Sequence, residues 1–175
     1  MAGFEKIAQH TFMLRTDLRL CSNVYLIEEK GARLLIDAGD GSLQFGFVPQ
    51  VCILTHGHAD HTGGVKAGWP KVLLHKAEFS FRGSYIRIPD NALPNPMKPL
   101  SFGLHQLEFF HTPGHTEGSI CILDKKTGCL FSGDTKFAQG GVGRTDLGGS
   151  AEKLEESLAL IEKLDYKLLC PGHGG

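Results

Sequence analysis

The segment Thr55-His56-Gly57-His58-Ala59-Asp60-His61 places three imidazoles and one carboxylate within six positions. It follows Val51–Thr55, a short β-branched run that reads as a strand ending abruptly in a loop. In an extended segment residues i and i+2 project to the same side, so His56 and His58 can present their rings to one ion. Asp60 and His61, where the chain turns toward a helix, would face a second position. Neutral imidazole and carboxylate are ligands that zinc, iron and manganese accept. With nine histidines in 175 residues, a chance match to this pattern is roughly a one-in-a-thousand event.

Four ligands in one loop are too few for two metals. Three further candidates follow apolar runs and are flanked by glycine or proline. They are His115 in Thr112-Pro113-Gly114-His115-Thr116, Asp134 in Ser132-Gly133-Asp134-Thr135, and His173 in Pro171-Gly172-His173-Gly174. Each run would end at the same edge of a sheet, and loops on a rigid scaffold are where sites are built.

The elements that must position these groups are short and mostly extended. His10–Arg15, Val24–Glu28 and Arg33–Asp37 read as consecutive strands, with a turn at Glu29–Gly31. Val72–His75, Gln106–His111, Ser119–Leu123, Gly128–Ser132 and Lys167–Cys170 read as further strands. One helix, Ala151–Leu164, has Ser150 as its N-cap, acidic residues early, and Leu154, Leu158 and Ile161 on one core-facing stripe. A second is expected from His61 or Thr62 toward Trp69. Residues 82–101, dense in Pro, Asn and Gly, predict an irregular and functional excursion. Phe79, Phe81 and Tyr85 open it, either lining a pocket mouth or simply packing. Two strand groups with interspersed helices suggest a β-sandwich flanked by helices.

Eighteen basic against nineteen acidic residues give a net charge of −1, with no basic run. No electrostatic footprint for nucleic acid or an anionic membrane is present. No apolar stretch nears the roughly 20 residues that span a bilayer, and the first ten residues lack a signal-peptide core. The expectation is a cytoplasmic protein forming one domain over residues 1–175. Five cysteines without C-x-x-C spacing read as small apolar residues, not as a disulfide framework or a thiolate zinc site. Glycine, 23 of 175 residues, is nearly double its average share of about 7% and suggests many tight loops on a sheet scaffold. His10, His75 and His105 read as surface or core residues, and His111 as these or an outer partner of the ligands.

In order along the chain, His56, His58, Asp60, His61, His115, Asp134 and His173 match the metal-binding motifs of the metallo-β-lactamase superfamily. The resemblance runs from Leu35-Ile36-Asp37-Ala38-Gly39 to Pro171-Gly172-His173-Gly174. It implies an α/β, four-layer αββα sandwich with a dinuclear site along one edge. By position, His56, His58 and His115 would hold the first metal and Asp60, His61 and His173 the second, with Asp134 bridging. Asp37 would orient ligands from outside. The ions implied are two divalent cations, zinc first, with iron or manganese as alternatives.

Details within the superfamily discriminate further. Aspartate at 134, where the best-known lactamases have cysteine, resembles the glyoxalase II and lactonase branches. Histidine at 58 argues against the flavodiiron oxygen reductases. Gly143-Arg144-Thr145-Asp146 looks like a loop of the glyoxalase II-like thioesterases and persulfide dioxygenases. There Arg144 would either pair with a substrate carboxylate or with Asp146 or a nearby acid. The ending Pro-Gly-His-Gly is similar to that of the hydrolases. Full-length glyoxalase II enzymes carry a C-terminal helical domain that helps bind glutathione, whereas this chain stops two residues after His173. Glutathione specificity therefore does not transfer.

The expected activity is hydrolysis of a small thioester or ester. Two cations about 3.5–4 Å apart lower the pKa of a bridging water from about 15.7 to near neutrality. Asp60 and Asp134 would be the catalytic carboxylates, balancing charge and orienting the hydroxide. A thiolate leaves with a pKa near 8.5 and needs little general-acid help. The alternatives are a persulfide dioxygenase-like enzyme with one iron at His56, His115 or His58, and Asp134, or a phosphodiesterase or nuclease of the same fold. The partner expected is a small molecule, with neither nucleic acid nor membrane.

Overall fold

The apolar runs pair into two sheets in the computed structural model, which describes residues 3–16 and 21–174. The first sheet contains β1 (Glu5–Ala8), β2 (Thr11–Arg15), β3 (Asn23–Glu29), β4 (Ala32–Ile36), β5 (Val51–Ile53), β6 (Val72–Leu74) and β7 (Ala92–Pro94), in that spatial order. The pairings up to β4 are antiparallel, and those from β4 to β7 are parallel. The second sheet contains β8 (Leu100–Phe102), β9 (His105–His111), β10 (Ile120–Asp124), β11 (Cys129–Gly133) and β12 (Leu168–Pro171). Its spatial order is β12-β11-β10-β9-β8, with only β11 and β12 parallel.

Period-two alternation decides which residue faces which layer. On β3, Tyr25 and Ile27 join Leu34, Ile36 and Ile53 against Ile120, Ile122 and Phe131 of the other sheet. Val24 and Leu26 point the opposite way, into a cluster with Leu35, Leu54 and Trp69. On β10, Cys121 and Leu123 face outward to Leu130 and Ile161. Both faces of the central strands are thus covered, which is why they read as continuous apolar runs.

The outer cover of the second sheet is α2 (Ala151–Ile161), whose first amides are capped when the Ser150 hydroxyl accepts from the Lys153 N–H at 3.3 Å. Over the first sheet the cover is loops carrying Phe45, Phe47 and Trp69, together with the single-turn α1 (Ala59–Thr62). The layers make the αββα sandwich of the metallo-β-lactamase fold. No helix among the described residues is long and apolar enough to cross a membrane.

Strand direction brings the chemistry together. Because β4 and β5 are parallel, Asp37 and the Thr55–His61 loop leave the first sheet at one edge. β9 and β11 are each antiparallel to β10, and β12 is parallel to β11. His115, Asp134 and His173 therefore also leave at a common edge. The two edges are stitched by Ile120 N–H donating to Thr55 O at 2.9 Å and Asn23 N–H donating to Gly172 O at 2.7 Å.

Several expectations need correction. The helix expected toward Trp69 stops after one turn. A Cβ on Gly63 or Gly64 would collide with backbone of Asp40 or Ala38, and the Gly64 amide donates to Gly39 O at 3.0 Å instead of continuing a helical ladder. The excursion at 82–101 contains β7 and the start of β8. Pro94 is tolerated in β7 because this is an edge strand. β1 was not expected, and α2 ends at Ile161, short of Leu164. All five cysteines are free, with Cys52, Cys121, Cys129 and Cys170 buried.

The β10–β11 hairpin is anchored by Asp124, which is fully buried. Its carboxylate accepts from His105 Nδ1 at 2.8 Å, from Lys126 N–H at 3.1 Å, and from the Thr127 hydroxyl. Burial pushes its pKa up, but these donors outweigh it and hold it below the usual aspartate value. A depressed folded-state pKa stabilises above the unfolded value and loses that contribution as pH falls through the folded one. Asp124→Ala is therefore expected to cost about 2–4 kcal/mol near neutral pH. In urea melts the difference from wild type should shrink as the pH falls below about 4. A pH-independent difference would assign the loss to packing alone.

Candidate metal centre

Seven donor groups converge where the two sheet edges meet. His58 Nδ1 lies 3.1 Å from His56 Nε2 and 2.8 Å from His115 Nε2. His173 Nε2 lies 3.3 Å from His61 Nε2 and 3.2 Å from Asp60 Oδ2. Asp134 stands between these sets. Its Oδ2 is 3.4 Å from His115 Nε2 and 3.3 Å from His173 Nε2, and its Oδ1 is 3.3 Å from His61 Nε2. Three groups could each hold an ion: His56, His58 and His115; His56, His61 and Asp134; and Asp60, His61 and His173.

Outer contacts fix which ring nitrogen faces inward. The Arg144 carbonyl can only accept, so His115 Nδ1 donates to it at 2.7 Å and the Nε2 lone pair is left for the centre. His61 Nδ1 donates to Asp37 Oδ2 at 2.7 Å, which likewise turns its Nε2 inward. Asp37 Oδ1 accepts from the Thr55 amide at 2.7 Å, and the Thr55 hydroxyl reaches His56 Nδ1 at 3.1 Å. Asp37 has a left-handed φ of 60°, a conformation for which Asp is among the better-tolerated side chains. That conformation ends β4 and turns the carboxylate toward His61.

The donor set fits a metal on two observations. A tetrahedral ion with ligand bonds of about 2.0–2.1 Å places its ligand atoms about 3.3 Å apart; the closest donor pairs here lie 2.8 to 3.6 Å apart, and all donors within each group lie within 4.8 Å of one another. Asp134 Oδ1 is buried with no hydrogen-bond partner among the described residues, its neighbour in the cluster being His61 Nε2 at 3.3 Å. An anionic oxygen in that condition is costly unless a cation faces it.

Electrostatics divides the site in two. Burial, reinforced by His61, pushes His56 well below the ordinary histidine pKa, and burial with His115 pushes His58 down to about 4. His115 is also lowered by burial, more than Asp134 raises it. These three rings are neutral and ready to ligate. Burial also opposes charge on His61 and His173, but carboxylates prevail. Asp37 and Asp134 hold His61 well above its usual value, and Asp134 and Asp60 lift His173 to about 10. Against burial, His61 and His173 in turn hold Asp134 well below the carboxylate range, and His173 and His61 lower Asp60. The carboxylates of the second set therefore favour positive charge at that position.

A cavity of about 590 Å³ opens onto the centre. Its walls include Tyr85, Phe137, Val142 and Leu147, with His58, Asp60, His115, Asp134 and His173 at the base. Arg144 lines it, but its guanidinium makes a two-point pair with Asp146, with Nε donating to Oδ1 at 2.7 Å. Of the three aromatics that could either line a pocket mouth or simply pack, Tyr85 lines this cavity. Phe79 and Phe81 do not line this cavity. His111 stacks on His75 with ring centres 4.1 Å apart and reaches Glu117 O, which places it away from the donor groups.

Sequence reasoning missed the groups that hold His173. Asn23 Nδ2 donates to Pro171 O at 2.9 Å and Gly174 O at 2.6 Å, and the Tyr25 hydroxyl donates to Pro171 O at 2.7 Å. Asn23 opens an apolar strand; a polar residue at that position was the one available signal. Glu78, buried in the turn after β6, was missed as well.

Comparison with known proteins agrees with this geometry. The sequence profile of the metallo-beta-lactamase superfamily matches residues 19–173. The chain is 32% identical to "Probable metallo-hydrolase YqgX" of Bacillus subtilis (strain 168), over 87% of this chain and 85% of that protein. It is 33% identical to a hydroxyacylglutathione hydrolase of Klebsiella pneumoniae, over 85% of this chain but only 59% of the longer enzyme. The solved structure of TTHA1623 in a di-iron-bound form superposes with a TM-score of 0.73 at 28% identity, covering 94% of this chain and 92% of that one. Sheet order, the converging donors and a profile match over most of the length together make this chain a member of the metallo-beta-lactamase superfamily.

Proposed function

We propose that this protein is a metal-dependent hydrolase of small thioesters or esters, similar in chemistry to the hydroxyacylglutathione hydrolases. The observation that carries the reading is the meeting of seven ligand-type groups at the base of an apolar-walled cavity. His56, His58 and His115 would hold one divalent cation and Asp60, His61 and His173 another, with Asp134 between them. Such a pair supplies a hydroxide nucleophile near neutral pH and polarises a carbonyl. The chain's own contribution is to fix the donors through Thr55, Asp37 and the Arg144 carbonyl, and to balance charge with Asp60 and Asp134.

A thioester suits this site because, among the described residues, no side chain outside the donor set is placed as a general acid at the cavity base, and a thiolate needs little protonation to leave. The walls favour a compact acyl group. Arg144 reaches a substrate carboxylate only by exchanging Asp146 for it. Zinc is the first choice of ion, and the di-iron form of TTHA1623 makes iron the alternative to test. A small-molecule substrate in the cytoplasm completes the proposal.

Elemental analysis of purified protein, paired with a hydrolysis screen on S-lactoylglutathione and simple thioesters and esters, tests it. Near two metals per chain and chelator-sensitive hydrolysis are expected. One iron per chain with oxygen consumption on glutathione persulfide would replace this reading with the dioxygenase one. Full hydrolysis after metal removal would end it.

A further inference from the structure

We propose that Glu78 is a positioning residue, a buried strap that sets the approach of the His56–His58 loop to the His115 loop. It sits in the 3-10 turn Lys76–Phe79 that follows β6 and is fully buried. The turn is closed when a His75 ring nitrogen accepts from the Ala77 N–H at 3.3 Å. Glu78 Oε1 accepts from the Thr116 hydroxyl and from Gly118 N–H, the latter at 2.7 Å. Its Oε2 abuts Gly57, the residue between His56 and His58. One carboxylate therefore touches the loop that leaves the first sheet after β5 and the loop that leaves the second after β9.

The two loops are fitted to this group. A Cβ on Gly57 would collide with Glu78 Oε2, and a Cβ on Gly118 would lie 2.6 Å from Glu78 Cγ. Thr116, next to His115, also has its hydroxyl 2.7 Å from Ser119 Oγ, so the strap reaches the whole of that turn. A spacer alone would be better built from an apolar side chain, since burying a carboxylate carries a desolvation cost. What the acid adds is direction. It orients a hydroxyl and an amide in the loop of His115 while its Oε2 packs against Gly57 of the H-x-H loop. Glu78 belongs to none of the three donor groups, so it acts through the histidines.

The inference rests on reading His56, His58 and His115 as metal ligands, and the test separates the two. Metal-depleted protein is titrated with cobalt(II), following ligand-field absorption and competition with a chromophoric chelator. Glu78→Ala should bind cobalt roughly 10- to 100-fold more weakly, with an altered spectrum, as loss of an outer partner does. Glu78→Gln keeps an oxygen facing Thr116 and Gly118 and should stay within about threefold of wild type. Thr116→Val should weaken binding in the same direction as Glu78→Ala, and it carries the test if the alanine variant does not fold. Unchanged affinity and spectrum in Glu78→Ala, or in Thr116→Val should Glu78→Ala not fold, would overturn the strap. So would a glutamine variant as impaired as the alanine one. Wild-type protein that takes up no cobalt would instead remove the metal reading.

Discussion

Asp134→Ala is expected to lower turnover by at least about a thousandfold, because charge stabilisation at a two-metal centre is worth several kcal/mol and each 1.36 kcal/mol is a factor of ten. Asp134 faces donors of both proposed metal sets, with oxygens 3.4 Å from His115 Nε2 and 3.3 Å from both His61 Nε2 and His173 Nε2. No other carboxylate among the described residues stands in that position. Asp134→Asn keeps the shape but loses the charge, so it should show most of the same loss. Far-ultraviolet circular dichroism should remain that of wild type for both variants. Wild-type turnover in either would take Asp134 out of the reaction.

Phe131→Ala should produce the largest loss of stability, about 3–5 kcal/mol, the usual cost of emptying a buried aromatic site. Phe131 is fully buried in the inter-sheet core, its ring meeting that of Tyr25 edge-on at 5.1 Å. Domains of this size are stable by roughly 5–15 kcal/mol, so the variant forfeits a large fraction of the margin. Urea denaturation measures the loss directly, and a change below about 1 kcal/mol would mean the core refills the cavity. Turnover per folded molecule well below the melting range should survive, the opposite of the Asp134 pattern.

The donor set was legible because metal ligation needs particular side chains at short spacings, and four of the seven lie in one loop. The downstream three were legible because each follows an apolar strand and is bracketed by glycine or proline. The strands of the interior were readable for the same local reason, since burial on both faces makes them continuous apolar runs. What escaped reading acts over distance. Asn23 grips backbone 148 and 151 positions away, and Tyr25 reaches across 146. Glu78 looks like any acid in a short turn until the turn is seen wedged between two loops. β1 and β7 lie at the edges of the first sheet and carry exposed or half-buried residues, so no buried-face pattern marks them. The helix expected toward Trp69 ends at Gly63-Gly64, a pair that is itself a local stop signal; what the sequence does not display is the backbone of Asp40 and Ala38 pressed against it.

The grip of Asn23 on the Pro171–Gly174 segment also sets a timetable for biosynthesis. A ribosome adds about 5–20 residues per second, so the 117 positions separating His56 from His173 take on the order of ten seconds to make. Throughout that interval the nascent polypeptide can display the H-x-H loop but not the pocket edge that closes over it. The full set of donor groups can assemble only once the segment through Gly174 has emerged and docked on β3.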